Sequence, residues 1–432
     1  MKILLIGNGG RENAMAWKII NSQSFIDSNS VLFCTTGNPG INEFAEPVNL
    51  KPTQISELTE FCSQNEIGLT IVGPEIPLAL GIVNEFEKKG LRIFGPGREA
   101  AEIESSKVFS KELMIEYNIP TAKFKKFSRD SISDAEEFFE NCSYPVVIKA
   151  DGLAAGKGVI IAEDKHVAIS TLIDFTEKEI FGESGFNFIA EEYLEGEEVS
   201  VFVITDGDDY VVLPYSQDHK KIGEGDTGNN TGGMGAVAPV KKFMNDELQG
   251  KIRERIIGPV LKALKDKKRK FKGCLYCGLM IKDNEPFVIE YNCRFGDPET
   301  QAVLPLIRSD FLELLTASAD NKIGNYKLEI FDKYACCVVM SSGGYPGDYE
   351  TGKPITGTVN DINDHENVLV FHSGTKRSDE GGIITNGGRV LSVTGVSDES
   401  LKNAVENAYK KVSEIDFENK YFRKDIGSKL VD

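Results

Sequence analysis

Two hydrophobic periods alternate through the first hundred residues. Short continuous apolar runs at Lys2–Ile6, Val31–Thr35, Leu69–Val72 and Leu91–Phe94 are separated by amphipathic segments of helical period. Runs of this kind are strands buried on both faces, so the pattern predicts a parallel α/β sheet. Each run stops at Gly or Pro, in Gly7-Asn-Gly-Gly-Arg-Glu12, Thr36-Gly-Asn-Pro-Gly40, Gly73-Pro-Glu75 and Gly95-Pro-Gly97. Ligands of open α/β sheets collect beyond the carboxyl ends of strands, which is where these loops lie. Gly9, Gly10 and Arg11, at the start of a helix, suit a phosphate. Glu75 suits sugar hydroxyls.

The pattern then changes. Ala100 to Tyr117 reads as one helix, and Ile119-Pro120-Thr121 opens a segment of strands and helices that runs to about Ala190, with helical stretches at Ser131–Cys142 and Lys165–Glu177. An acidic connector, Glu191 to Glu198, enters an apolar strand at Val199–Ile204. The stretch from Ser216 to Pro239 is polar and Gly-rich and reads as a long loop; loops of that length are functional or disordered. An amphipathic helix at Asp246–Leu264 ends in the basic run Lys265–Lys272, read as a solvated helix end, before a strand at Gly273–Lys282, a second strand and a return to helix over 301–320. From about Tyr326 short strands dominate, at Ala335–Met340, Val368–His372 and a hairpin-like Ile383–Val393, before a helix at Asp398–Ile415. The expected division is an N-terminal α/β domain at 1–103, a central domain at 104–325 with a mobile lid at about 121–190, and a C-terminal α+β domain at 326–432.

Candidate chemistry concentrates in two stretches. In Val288-Ile-Glu-Tyr-Asn-Cys-Arg-Phe-Gly-Asp-Pro-Glu-Thr300 the alternation of a strand places Glu290, Asn292 and Arg294 on one side, before Gly296-Asp297-Pro298 breaks it. Carboxylate and amide oxygens suit a hard ion such as Mg²⁺, which leaves its other positions to water and nucleotide phosphates. Arg294 can fork onto a carboxylate or phosphate. In Pro145-Val-Val-Ile-Lys-Ala-Asp-Gly-Leu-Ala-Ala-Gly-Lys-Gly158 a strand carrying Lys149 enters a loop with Gly152, Gly156, Lys157 and Gly158, whose N–H groups can close over phosphates. P-loop spacing is absent and a strand follows, so this is a different nucleotide site. The acidic connector then reads as a hinge whose backbone and Leu194 frame a purine, with Glu198 on the ribose.

Composition narrows the class. The chain has 432 residues, enough for two to four domains, and its net charge of −18 argues against nucleic-acid or anionic-membrane partners. The first apolar run is too short for a signal sequence and no stretch approaches a membrane span, so a cytoplasmic protein is expected. Eight cysteines in a chain of this size suggest reduced thiols, and Cys274-x-x-Cys277 lacks a second pair to complete a zinc site. A dinucleotide-binding reading of Gly7-x-Gly9 meets two obstacles: Glu12 stands where helix packing wants Gly or Ala, and no acid ends the second strand.

Taken together, Ile6-Gly-Asn-Gly-Gly-Arg-Glu12, Thr70-Ile-Val-Gly-Pro-Glu75, the Lys149 loop, Asn230-Thr-Gly-Gly-Met-Gly235, Asn292-Cys-Arg-Phe-Gly-Asp-Pro-Glu-Thr300 and Thr385-Asn-Gly-Gly-Arg389 resemble the glycinamide ribonucleotide synthetase (phosphoribosylamine-glycine ligase) family of ATP-grasp enzymes over essentially the full length. The resemblance implies ligation of glycine to 5-phosphoribosylamine with ATP and Mg²⁺ or Mn²⁺, in a monomer. It implies that Lys107 and Lys149 bind ATP phosphates beneath the Gly152–Gly158 loop, that Glu191, Glu192, Leu194 and Glu198 hold adenosine, and that Glu290 and Asn292 hold the metal. Gly9, Gly10, Arg11 and Glu75 become candidates for phosphoribosylamine. Arg294, Gly296 and Asp297, with Asp218 and Lys220 of the 217–235 stretch, become candidates for glycine and the acyl phosphate, and Arg294, Asp297 and Lys149 for catalysis. Asn13 and Cys277 depart from the family's usual His and Ala. The acidic metal ligand that many ATP-grasp relatives carry about twelve residues before Glu290 is missing. Another ATP-grasp ligase or carboxylase is the nearest rival, and a non-catalytic nucleotide sensor is the rival from another class.

Overall fold

The computed structural model describes residues 1–153, 158–357 and 367–431. Its first sheet is parallel throughout, in the order 46–48, 31–35, 2–6, 69–72, 93–94. Ile3 and Leu5 face one apolar cluster while Leu4 and Ile6 face another, so both sides of the central strand are covered. Double burial is why it reads as an unbroken apolar run. The edge strand at 46–48 carries Glu46 and Pro47, too short and polar to be seen in the pattern. The last strand is confined to Ile93–Phe94.

Two antiparallel sheets make the middle of the molecule. One is ordered 210–212, 197–205, 273–282, 285–292; the other, 124–128, 187–192, 146–150, 159–162, is flanked by helices at Ile132–Asn141 and Lys165–Thr176. The second sheet and its helices bury a hydrophobic cluster of their own, including Phe127, Phe139, Phe175 and Phe188, separate from the two clusters of the remaining body. Residues 193–196 connect the two sheets.

Three sequence expectations change. The helix expected over Ala100–Tyr117 is two helices, Arg98–Ser105 and Lys107–Glu116, because Ser106 turns extended and its hydroxyl accepts from Phe109 N at 3.0 Å. The stretch from Ser216 to Pro239 is not a free loop. Gln217–Asp218 and Gly235–Ala238 are strands of the C-terminal sheet, ordered 217–218, 235–238, 334–341, 389–397, 368–372, and Lys221–Gly223 pairs with Thr227–Asn230 between them. The hairpin expected over Ile383–Val393 does not form either: Ile383–Thr385 pairs with Thr375–Arg377, whereas Arg389–Ser397 lies between the 334–341 and 368–372 strands. Gly387 and Gly388 carry the chain from one sheet to the other.

No helix among the described residues is long and apolar enough to cross a membrane. All eight cysteines are free, and those at 274 and 277 are buried in strands. Among the described residues no group of three or more His, Cys, Asp or Glu side chains is arranged to hold a metal.

Candidate active site

A cavity of about 870 Å³ lies where the two central sheets, the N-terminal loops and the C-terminal domain meet. Its floor is the 285–292 strand. Pairing to the neighbouring strand runs Val288 to Leu279 and then Glu290 to Gly278, so Ile289 is an extra residue in a bulge. Bulges re-aim side chains beside active sites. Here the Ile289 carbonyl accepts from Lys149 Nζ at 2.9 Å, while Glu290 and Asn292 both line the cavity. Burial alone would raise the Glu290 carboxyl, but the ammonium groups of Lys220, Lys149 and Lys107 bring it down to about 2. Two neighbouring oxygen donors, one fully ionised, fit a divalent cation that takes its remaining ligands from water and phosphate.

Lysines cluster at one end of the cavity. Lys107 starts its helix and donates to the Gly152 carbonyl; burial lowers its pKa, and Glu290, Glu104 and Asp151 partly restore it. Lys149 pairs with Glu191 at 3.0 Å, and Lys111 pairs with the other oxygen of the same carboxylate at 3.0 Å. All three side chains are at most 5% exposed. Glu191 therefore has its carboxylate between two lysines, and Glu192 and Leu194 line the cavity beside it. Gly152 is not part of the lining but its carbonyl holds Lys107, Gly158 lines the cavity, and Gly156 and Lys157 fall outside the described residues. Glu198 lies 3.1 Å from Lys220, which reaches Glu290 at 3.4 Å from its other side.

The opposite end is built from arginines and carboxylates. Arg294 lies beyond the strand's last residue, 3.3 Å from Glu75 and 3.1 Å from Glu104, and it donates to Asn292 Oδ1 at 3.3 Å. Although burial acts to raise it, Glu75 stays below the ordinary carboxylate range because Arg294 and Arg11 face it. Arg11 donates to Glu12 at 2.6 Å and to the Phe295 carbonyl at 3.1 Å, and still lines the cavity. Gly9 donates its N–H to Glu12 at 2.7 Å, so the amide expected to meet a phosphate is already engaged. Gly10 is covered, since a Cβ there would fall 2.3 Å from Ser373 and 2.8 Å from Gln301. Glu12 also explains two glycines: a Cβ on Gly7 or Gly73 would land 2.6 or 2.0 Å from its side chain. Its carboxylate fills the helix N-terminus that a dinucleotide pyrophosphate would need.

Gly296 and Asp297 follow the strand, and Arg389 from the C-terminal sheet pairs with Asp297 at 3.0 Å and donates to its carbonyl at 2.8 Å. Burial raises Asp297, yet Arg389 and Arg11 outweigh it and hold the carboxyl low. Asp218 behaves oppositely. Burial and the nearby Glu299 push its carboxyl well above the usual range, and its buried Oδ1 has no hydrogen-bond partner among the described residues. Glu299 accepts from Ser200 at 3.0 Å. An unpartnered acid oxygen on Asp218 beside the buried Glu299 forms a place for a cationic amine, whose charge would favour ionisation of Asp218.

Glu104, Lys111, Glu299 and Arg389 were not among the residues singled out from the sequence as site candidates. Glu104 and Lys111 sit within helical patterns as ordinary surface charges would, yet are 7% and 2% exposed. Asn13 lies away from the cavity: its Oδ1 accepts from the His372 backbone at 2.6 Å, tying the first helix to the C-terminal sheet. Cys277 is fully buried in the core of its sheet.

The N, ATP-grasp (A) and C domains of phosphoribosylglycinamide synthetase match residues 1–104, 105–300 and 335–429. The chain belongs to the phosphoribosylglycinamide synthetase family. A phosphoribosylamine–glycine ligase of Caldanaerobacter subterraneus subsp. tengcongensis is 46% identical over 428 residues, covering 99% of this chain and 100% of the relative. Its counterpart in Escherichia coli O157:H7 is 41% identical over 435 residues, covering 100% and 99%. The crystal structure of phosphoribosylamine–glycine ligase from Thermotoga maritima superposes with a TM-score of 0.83 at 30% identity, over 99% of this chain and 100% of that one. A Campylobacter jejuni biotin carboxylase bound to an ATP analogue shares the fold alone, at 13% identity and a TM-score of 0.72 over 98% and 92% of the two chains. Family membership implies ATP and a divalent cation.

Proposed function

We propose that this member of the phosphoribosylglycinamide synthetase family joins glycine to 5-phosphoribosylamine in purine synthesis, converting ATP to ADP and phosphate through a glycyl phosphate. The observation that carries the reading is one cavity whose lysine-rich end suits a nucleotide and whose other end gathers Arg11, Glu75, Arg294, Asp297, Arg389 and Asp218 from all parts of the chain. A carboxylate is a poor electrophile until phosphorylated, and an amine is a sufficient nucleophile afterwards. Nothing in this route requires a nucleophilic side chain.

Glu290 and Asn292 would hold Mg²⁺ or Mn²⁺, which neutralises charge on the transferring phosphoryl group when bound. Lys107 and Lys149, with N–H groups of the Gly152–Gly158 loop, bind the ATP phosphates, and the Glu191–Glu198 connector takes adenosine and ribose. Asp218 and Glu299 take the glycine ammonium. Arg294 then steers the glycine carboxylate toward the γ-phosphoryl group, where the carboxylate oxygen forms its bond as ADP leaves. Arg11 and Glu75 place phosphoribosylamine so that its nitrogen attacks the acyl carbon and phosphate departs. Arg389 and Asp297 fix the turn that carries these groups. The boundaries 1–103, 104–325 and 326–432 describe the working domains, and 121–190 is a lid. Its separate hydrophobic core supports closure as a unit, which would keep water from the acyl phosphate. The enzyme is expected to act as a cytoplasmic monomer.

Phosphate release from ATP, measured with Mg²⁺ and freshly generated phosphoribosylamine, tests this. Release should require both glycine and phosphoribosylamine and vanish in Glu290→Ala. Turnover with bicarbonate in place of glycine would move the chain to carboxylase chemistry, and tight ATP binding without turnover would make it a sensor.

A further inference from the structure

Lys220 is the side chain that the proposed reaction leaves least explained. Its backbone is fixed, because its carbonyl accepts from both Thr231 N and Thr231 Oγ1 at 2.8 Å. Its ammonium stands between two carboxylates of different elements, 3.1 Å from Glu198 Oε2 on the strand leaving the connector and 3.4 Å from Glu290 Oε1 on the floor strand. The side chain keeps 29% exposure toward the cavity. Across the ladder from Glu290 stands Gly278, so that side supplies no carboxylate. Lys220 is thus a positive charge placed at a pair of anions, one of which is the proposed metal ligand.

We propose that Lys220 is the resident counter-ion of the metal position, joining Glu198 to Glu290 until a nucleotide-borne cation displaces it, so that divalent metal enters only together with nucleotide. This rests on the assignment of Glu290 and Asn292 to the metal. Glu198 and Glu290 would repel one another without the ammonium between them; with it, and with Lys149 and Lys107 facing Glu290, the pair holds without a metal ion. A bare divalent ion approaching Glu290 meets the charges of Lys220, Lys149 and Lys107 together, all of which act on that carboxylate. The same ion arriving on a polyphosphate brings its own negative charge. That charge offsets the lysines and gives the Lys220 ammonium a new anion to face, while Glu198 is released toward the ribose. The empty enzyme is in this way protected from a metal-loaded, nucleotide-free state.

Binding of Mn²⁺, followed from the electron paramagnetic resonance signal of the free ion, tests this without turnover. In the absence of nucleotide the intact protein should bind Mn²⁺ weakly, and Lys220→Met should bind it at least about tenfold more tightly. Lys220→Arg, which keeps the charge, should behave as the intact protein. A non-hydrolysable ATP analogue should tighten Mn²⁺ binding strongly in the intact protein and much less in Lys220→Met. Circular dichroism and thermal melting establish that each variant is folded; if Lys220→Met does not fold, Lys220→Gln carries the same expectation. Unchanged Mn²⁺ affinity in the folded charge-removed variant, with nucleotide-dependent binding in the intact protein still abolished by Glu290→Gln, overturns the proposal and leaves the metal assignment standing. Tightened binding that survives in Lys220→Met/Glu290→Gln places the ion elsewhere and overturns both.

Discussion

Replacing Glu191 by Gln keeps its shape and removes the one negative charge between two buried lysines. Lys111 and Lys149 each lie 3.0 Å from a different oxygen of this carboxylate, and all three side chains are at most 5% exposed. At that distance and an effective dielectric near 20, each contact carries about 5 kcal/mol of attraction, largely offset by the cost of desolvating the groups. Removing the shared partner leaves two uncompensated ammonium groups, and breaking a buried pair in this way costs about 3–5 kcal/mol. Glu191→Gln should therefore lower the free energy of unfolding by roughly that amount. Lys111→Met in the same chain should restore part of the loss by removing one orphan charge, whereas Lys111→Met alone should be nearly neutral or stabilising, since it leaves a one-to-one pair. Urea unfolding of the four proteins, combined as a double-mutant cycle, measures the coupling. Binding of an ATP analogue reports whether Lys149 is still in place. A Glu191→Gln protein within about 0.5 kcal/mol of the parent, or additive single and double variants, would show that the triad does not act as a charge unit.

The same lysine gives stability a pH dependence. Burial lowers Lys111 to about 8 against an ordinary 10.5, with Glu191 opposing the shift, so between these values the unfolded chain binds more protons. Stability contributed by this group should then rise from about pH 8 to about 10.5, and Lys111→Met should remove that component from urea midpoints taken across the range. Asp218→Asn should raise KM for glycine by about tenfold or more while leaving the KM for ATP within about twofold, because it removes an acid that can ionise against an incoming ammonium and plays no part toward phosphate; steady-state kinetics with each substrate varied separately decides this. Gly196→Ala would put a Cβ 2.2 Å from the Ile281 carbonyl at the connector between the two central sheets. Backbone must shift to admit it, so thermal stability and ATP affinity should fall together, by about 1–3 kcal/mol in unfolding free energy.

What could be read in the sequence was local. The four apolar runs of the N-terminal sheet, the helices at 132–141 and 165–176 and the 285–292 strand declare themselves because each is a continuous pattern over a few residues. Glu290, Asn292 and Lys149 follow directly, since each is a polar group on an otherwise apolar strand. The bulge at Ile289 could not be read, because it depends on the register of a partner strand. Glu104 and Lys111 look like surface charges in amphipathic helices; their burial is set by Arg294 and Glu191, far along the chain. Arg389 lies in a visible Gly-Gly-Arg motif, but its partner Asp297 is chosen by how the C-terminal sheet packs. The strands within Ser216–Pro239 are two to four residues long, three of them polar or Gly-rich; 235–238 is joined to the 334–341 strand, 217–218 is paired to 235–238, and the other two pair with each other.

That last arrangement has a consequence for synthesis on the ribosome. The strand at 235–238 hydrogen-bonds to one that emerges roughly a hundred residues later, and at ~5–20 residues per second the earlier strand waits some 5–20 s for its partner. During that interval its open edge is a template for pairing with other nascent chains. That edge is only four residues long, Gly-Ala-Val-Ala, and so short a strand is a weak participant in such pairing. The shortness of this strand thereby also guards the unfinished chain against aggregation, and a fragment ending near residue 325 would keep that edge open permanently.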